Sequence, residues 1–440
     1  MAMKITVIGL GYLGATHAVA MAELGHQVIG IEANPKRLGD LQNGVVPFFE
    51  PGLDEALQAV IAKGNIKFQA EHTEESREAD LHFLCVGTPQ LPGSYAANTQ
   101  YLHDAVRALA PYLREDAVIA GKSTVPVGTA AKLTEVLAEA AGFQPHLAWN
   151  PEFLREGTAL EDSLRPDRIV IGVSDERSAE LLRKVYEPIT AHGTPFITTD
   201  IPTAELVKVA ANSFLATKIS FINAMAEIAE VAGADAVSLA EAIGYDERIG
   251  NKFLRNGIGF GGGCLPKDIR AFMARAEELG VGQAVDFLAD VDSINLRRRA
   301  RVVDLLKREL GSIAGKRILV LGAAFKPDSD DLRDSPSIAV AKLILAEGAN
   351  VVVHDPISLD HVRATEPSLI AEQDLVKAAT GAEAIVLATE WSNYRTLDLP
   401  AELAPVVANK LIIDGRNALK VAAWQSAGFR LIALGRNVEA

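Results

Sequence analysis

Nearly continuous apolar runs alternate with longer stretches of helical periodicity along most of the chain. The first run, Ile5-Thr-Val-Ile8, leads into an Ala-rich helical pattern from Ala15 to Leu24 and then a second run, Gln27-Val-Ile-Gly-Ile31. Runs of this kind, apolar throughout rather than at every second position, predict strands covered on both faces, as in a parallel sheet between helices. Further strands are predicted at 79–86, 116–121, 147–150 and 167–172, with a helix from Thr129 to Ala141. Asp200-Ile-Pro202 starts the longest helical pattern. It runs to about Val231 without an internal Gly or Pro. Asp200 or Thr203 can cap it, and Pro202 suits its first turn. A second series opens at Lys316–Gly322 and continues at Asn350–Asp355, Ala384–Thr389 and Lys410–Asn417. The expected fold is α/β, with two doubly wound Rossmann-like domains joined by a long central helix.

Composition narrows this picture. With 440 residues, the chain exceeds the size at which a single core stops growing, so two or three domains are expected. The assigned boundaries are 1–200, 201–300 and 301–440. A net charge of −14 speaks against nucleic-acid partners and anionic membranes, though not against a small anionic ligand. No apolar run reaches the roughly 18 residues of a membrane helix. Two cysteines make no disulfide framework and suit a reducing, cytoplasmic setting. The first residues enter a strand pattern directly, without the features of a signal peptide. No metal-ligating set stands out.

Gly9-Leu-Gly11-Tyr12-Leu13-Gly14 lies between the first strand and its helix, and Glu32 closes the second strand. This is the dinucleotide fingerprint in its required context. Gly9 permits the tight turn, Gly11 admits the pyrophosphate, and Gly14 lets helix and strand pack closely. Glu32 is placed to accept ribose hydroxyl bonds, which favours NAD, while Arg37 can serve either nicotinamide cofactor. Thr88, Thr124 and the pair Glu152 and Glu156 fall at strand ends, where open α/β sheets bind ligands. If helical, the pair shares one face; it reads either as a solvated helix start or as part of a site. The last domain lacks the three-glycine pattern after Gly322, so no second dinucleotide is expected there. Lys326, Arg333 and Arg416 at its strand ends suit a phosphorylated ligand.

The candidate nucleophile is Cys264, in Gly259-Phe-Gly-Gly-Gly-Cys-Leu-Pro-Lys-Asp268. The glycines give room for close ligand approach. Lys267 and a helix start both favour a thiolate. Taken alone, the stretch reads first as a turn with an inert thiol, as Cys85 is expected to be inside its strand. NAD gives the thiol a purpose. Sulfur adding to an aldehyde makes a thiohemiacetal that can yield hydride, and the resulting thioester can be hydrolysed to an acid. Lys208 and Asn212, one helical turn apart, could stabilise the oxyanion, or could form a solvated stripe. Asp268 or a glutamate could move protons. The apolar excess of the long helix points to a homodimer or higher homo-oligomer.

These residues together resemble the nucleotide-sugar dehydrogenases of the UDP-glucose/GDP-mannose dehydrogenase family. The resemblance rests on the glycine fingerprint, Ser123-Thr-Val-Pro-Val-Gly128, Asn150-Pro-Glu-Phe-Leu154, Lys208 with Asn212, Phe260 to Asp268, Ala324-Phe-Lys-Pro-Asp328 and Asp414-Gly-Arg416. The segment Tyr245 to Phe253 is most similar to the UDP-glucose 6-dehydrogenase branch. The resemblance implies oxidation of UDP-glucose to UDP-glucuronate with two NAD. It makes Cys264 the nucleophile, Lys208 the oxyanion stabiliser, Asn212 and Asp268 activators of substrate or water, Glu152 the base for hydrolysis, and Thr124 the holder of a water. Cofactor contacts are implied for Gly9, Gly11, Tyr12, Leu13, Gly14, Glu32, Arg37, Thr88, Thr124, Glu156, Lys267 and Arg333. Substrate contacts are implied for Glu152, Phe153, Leu154, Lys208, Asn212, Phe253, Leu254, Arg255, Asn256, Gly257, Gly261, Lys326 and Arg416, and for Arg248 toward a neighbouring subunit. Gly263 and Leu265 depart from the family's common Ser and Phe. The alternatives are a GDP-mannose or UDP-N-acetylhexosamine 6-dehydrogenase, or a non-catalytic nucleotide-binding regulator.

Overall fold

The computed structural model describes residues 2–437, so the outermost ends of the first and last expected domains lie outside it. The chain divides into two compact units. One takes the chain up to Ala211 together with Arg270–Gly282; the other takes Asn212–Ile269 and the chain from Gln283 onward.

The first unit holds strands β1 (Lys4–Ile8), β2 (Gln27–Ile31), β3 (Ile66–Gln69), β4 (Leu81–Leu84), β5 (Val118–Gly121), β6 (His146–Trp149), β7 (Ile169–Gly172) and β8 (Phe196–Thr199). They form one sheet in the order β3-β2-β1-β4-β5-β6-β7-β8. All neighbours are parallel except β6 and β7. Successive residues of β1 serve opposite faces: Ile5 and Val7 join one core, and Ile8 joins the other. Each face is covered by helices, which is why the interior strands carry no polar alternation.

The second unit repeats the plan. Strands β9 (Arg317–Leu321), β10 (Asn350–His354), β11 (Ile370–Ala371), β12 (Ala384–Leu387), β13 (Leu411–Asp414) and β14 (Arg430–Ala433) are ordered β11-β10-β9-β12-β13-β14 and are parallel throughout. Ile318 and Val320 face one core; Leu319 and Leu321 face the other. Both sheets therefore follow the doubly wound order, with the crossover beside the first strand of each.

The long helix spans Ile201–Ala232. Asp200 caps it, accepting from Thr203 N at 2.8 Å. The division between the units falls within it, between Ala211 and Asn212. One local expectation fails. Residues 152–156 are not helical, and the next helix begins only at Ala159. The shared helical face for Glu152 and Glu156 is thereby withdrawn; Glu152 Oε1 instead accepts from Phe153 N and Leu154 N, closing a tight local turn. No helix among the described residues is long and apolar enough to cross a membrane.

Candidate active site

In the first unit, the glycine fingerprint forms the turn between β1 and the helix Tyr12–Glu23. Gly9 has φ of 85°, and a Cβ on Gly14 would lie 1.9 Å from the Gly9 carbonyl oxygen. Nothing stands within 4 Å of the Cβ position at Gly11, the residue preceding the helix, whose first turn receives no side-chain cap. Open backbone at a helix N-terminus is what a pyrophosphate requires. Glu32 is buried at the end of β2. It accepts from Leu10 N at 3.0 Å, Asn34 N at 2.8 Å and Arg37 Nη1 at 3.1 Å. A carboxylate offers about four acceptor positions, so one is left for a ribose hydroxyl. The residues present thus fit a dinucleotide.

Tyr12 donates to Glu50, a residue the sequence reading passed over. Glu50 also accepts from Gly157 N and Ala159 N at 2.6 Å each, fixing the loop that carries Glu156. Thr88 is buried and donates to the Thr124 carbonyl at 2.7 Å, tying the loops after β4 and β5 together. Phe153 lies under two cations: the Arg168 guanidinium carbon is 3.7 Å from its ring centroid, and Lys208 Nζ is 5.5 Å away. Lys208 and the segment carrying Glu152 therefore belong to one cluster. Cys85 is buried, and burial pushes its thiol up to about 12, as suits an inert core thiol.

In the second unit, Cys264 is exposed and immediately precedes the helix Leu265–Glu278. Its carbonyl accepts from Asp268 N at 2.9 Å, the first bond of that helix, so the sulfur sits at a positive helix end. Asp268 is buried and holds Asn212 Nδ2 and Lys267 Nζ, each at 2.6 Å. Much of the Lys267 charge is thus answered by Asp268. The structure brings Asn212, Cys264, Lys267 and Asp268 into one turn-sized group.

The glycines before Cys264 approach the unit's own loops. A Cβ on Gly261 would lie 2.3 Å from the Asp334 carbonyl oxygen, and one on Gly263 would lie 2.3 Å from the Arg333 guanidinium carbon. Their side-chain directions are taken by protein, so the packing of these loops itself favours glycine there. The same packing explains why Gly stands at 263. Arg416 spends its donors on the carbonyls of Ala388, Gly259 and Phe325, and it stitches these loops together. Asn256 donates to Leu434 O, and Gly257 N to Asn223 Oδ1, while Leu254 is buried. Phe253 is exposed with φ of 64°, a strained conformation for a bulky side chain. Arg255 is exposed, and Arg248 points to solvent paired with Asp246. Lys326 Nζ lies 5.6 Å from the Phe325 ring centroid.

Comparison with known proteins decides the lineage. The NAD binding domain of the UDP-glucose/GDP-mannose dehydrogenase family matches residues 3–190, its central domain 202–297 and its UDP binding domain 319–421. The chain belongs to this family. It is an NAD-dependent oxidoreductase. A UDP-glucose 6-dehydrogenase of Rhizobium meliloti is 39% identical over 438 residues, covering 99% of this chain and 100% of the relative. One from Bacillus subtilis is 38% identical over 439 residues, covering 99% and 98%. A UDP-glucose dehydrogenase structure from Pyrobaculum islandicum superimposes with a TM-score of 0.91 at 38% identity, covering 99% and 98%. The region matched by the NAD binding domain lies in the first unit, and the second unit contains the region matched by the UDP binding domain.

Proposed function

We propose that this family member oxidises UDP-glucose to UDP-glucuronate, using two NAD in succession, through a thiohemiacetal and then a thioester on Cys264. The observation that carries the reading is the group at the start of the helix Leu265–Glu278: an exposed cysteine at a positive helix end, one turn from a buried carboxylate held by an amide and an ammonium. The relatives named above act on UDP-glucose, which supports that substrate over GDP-mannose or a UDP-N-acetylhexosamine.

NAD supplies the hydride acceptor. The chain's own residues supply the rest. Cys264 adds to the aldehyde carbon. Lys208 bears the charge that stabilises the oxyanion. Asn212 and Asp268 orient the reacting oxygen. Glu152 takes a proton from the water that hydrolyses the thioester, and Thr124 holds that water. Arg37, Thr88, Glu156, Lys267 and Arg333 belong to the cofactor side. Phe153, Leu154, Phe253 to Gly257, Gly261 and Lys326 belong to the sugar-nucleotide side, with Arg416 shaping the loops there. The working form is a cytoplasmic homodimer or higher homo-oligomer, and Arg248 reaches toward a neighbouring copy.

The test is a count of NADH per sugar nucleotide with wild-type protein and Cys264→Ala. Two NADH per UDP-glucose in the wild type, with no UDP-glucuronate from Cys264→Ala, support the reading. One NADH, equal turnover of GDP-mannose, or undiminished acid from Cys264→Ala would overturn it.

A further inference from the structure

Lys122 follows β5 directly and is only 4% exposed. A lysine that deep is rare unless its charge is answered. An ammonium has three N–H donors, and here each has an acceptor. Lys122 Nζ lies 2.9 Å from Glu152 Oε2, 3.2 Å from Asn150 Oδ1 and 3.4 Å from Tyr186 Oη. Tyr186 in turn donates to Asn150 Oδ1 at 2.6 Å, and Asn150 Nδ2 donates to Val170 O at 2.8 Å. The amide is thereby fixed with its oxygen toward the ammonium.

Glu152 is clamped from the other side. Its Oε1 accepts from Phe153 N at 2.7 Å and Leu154 N at 3.0 Å. Together with Lys122, three of the roughly four acceptor positions of the carboxylate are used. One position remains, on Oε2, for a water.

We propose that Lys122 is a positioning residue for the hydrolytic step: it keeps Glu152 ionised and leaves a single Oε2 lone pair to receive the proton of the attacking water. This rests on the reading of Glu152 as the base. In that step water adds to the thioester carbon. One of its protons goes to Glu152 and the other leaves as the new acid ionises. The C–S bond breaks, and sulfur departs as thiolate.

The surroundings agree. Burial pushes the Glu152 carboxyl up, but the Lys122 charge and hydrogen bond outweigh it, with Lys208 of the long helix adding to them, so it sits below the ordinary range. Burial pulls Lys122 down, and Glu152 more than restores it. The other titratable groups that couple to this pair stay neutral near pH 7. Cys85, just after β4, and Tyr186, after the helix Glu176–Val185, are each pushed to about 12 by burial. His17, from the helix Tyr12–Glu23, is held neutral by burial and by Lys122 itself.

The experiment is a pH series of rapid-mixing and steady-state NADH measurements on wild type, Lys122→Met, Glu152→Gln and the double variant, with NAD and UDP-glucose. In Lys122→Met the early NADH burst survives. Steady-state turnover at pH 7 falls about 10²-fold, and the acid limb of the profile moves to higher pH because burial now controls Glu152. In the Glu152→Gln background, Lys122→Met has no further effect. An unmoved acid limb, or an equal loss in both backgrounds, would overturn the proposal while leaving Glu152 as base. Undiminished hydrolysis by Glu152→Gln would instead remove the base itself and the proposal with it. If Lys122→Met does not fold, a carboxyl-carbon NMR titration of Glu152 in the wild type decides: a midpoint at or above the ordinary value of about 4.3 overturns the proposal, and a lower one supports it.

Discussion

Asn212 Nδ2 donates to Asp268 Oδ2 at 2.6 Å, while Lys267 Nζ takes the other carboxylate oxygen at the same distance. Asp268 is 1% exposed, so this carboxylate is held by partners rather than by water. Asn212 is correspondingly committed: one of its amide N–H donors is used internally, which fixes the orientation of the amide.

Replacing Asn212 by Asp tests the pairing. Two carboxylates at hydrogen-bond distance cannot both ionise, so the pair keeps a shared proton to unusually high pH. Asn212→Asp is expected to retain some activity on the acid side and to lose it as pH rises and that proton leaves. The wild type is expected to show no such loss. Initial rates of NADH formation between pH 6 and 9 check this, and a profile parallel to the wild type would sink it.

Gly261 and Gly263 make opposite predictions for the same substitution. A new methyl at 261 meets the Asp334 carbonyl oxygen and Pro336 Cδ, which belong to backbone and ring. At 263 it meets the end of the Arg333 side chain, which can swing away. Gly261→Ala is therefore expected to cost about 1–3 kcal/mol in a denaturant melt. Gly263→Ala should stay within about 0.5 kcal/mol while raising KM for NAD, if Arg333 contacts the cofactor. Equal losses of stability would contradict this account of the loops.

The pattern of apolar runs is a good guide to the sheet interiors and a poor one to their edges. β1, β2, β4, β5, β6 and β7 are legible because helices cover both faces, and so are β9, β10, β12 and β13. The four strands missed by sequence reading, β3, β8, β11 and β14, are the edges of the two sheets. β8 is half-open to solvent along its length, and β11 has two residues, so neither needs a continuous apolar run. The site divides in a similar way. Cys264 and Asp268 stand in a legible pattern because they lie one turn apart at the start of one helix, whereas Asn212 reaches Asp268 from the separate helix Ile201–Ala232. Lys122 was passed over because its partners, Glu152, Asn150 and Tyr186, come from two other stretches of chain. Its signal was a lysine set directly behind a fully apolar strand.

His82 gives the first unit a pH-dependent stability. It lies in β4, fully buried, with Nδ1 2.7 Å from Thr6 Oγ1. Burial lowers its pKa to about 3, with His72 and Arg114 adding to the effect. The unfolded chain therefore takes up a proton below about pH 6.5 that the folded unit refuses. The stability is fully present above that pH and is lost as pH falls toward 3, at about 1.4 kcal/mol per pH unit for this one group. Urea melts from pH 7 to 5 should show His82→Gln with a shallower decline than wild type, even if it starts lower. An identical slope would remove His82 from the acid sensitivity.

The second-unit part of the long helix carries a stripe that the described residues leave exposed. Phe214, Phe221 and Ile228 are spaced by sevens and are 68%, 49% and 60% exposed. Positions seven apart fall on one side of a helix, and a soluble monomer rarely leaves such large apolar groups aligned in water. A second copy related by a two-fold axis would cover the stripe with the same stripe. Phe221 lies at its middle, so Phe221→Glu would bury a carboxylate against its own image, at a cost of several kcal/mol. Sedimentation equilibrium of the wild type should therefore give twice the chain mass, and Phe221→Glu should give the single-chain mass with its circular dichroism unchanged. Glu241→Gln, on the separate helix Ala236–Gly244, serves as the control and should leave the mass doubled. A wild type that sediments as one chain, or a Phe221→Glu that remains doubled, would assign the stripe to something other than self-association.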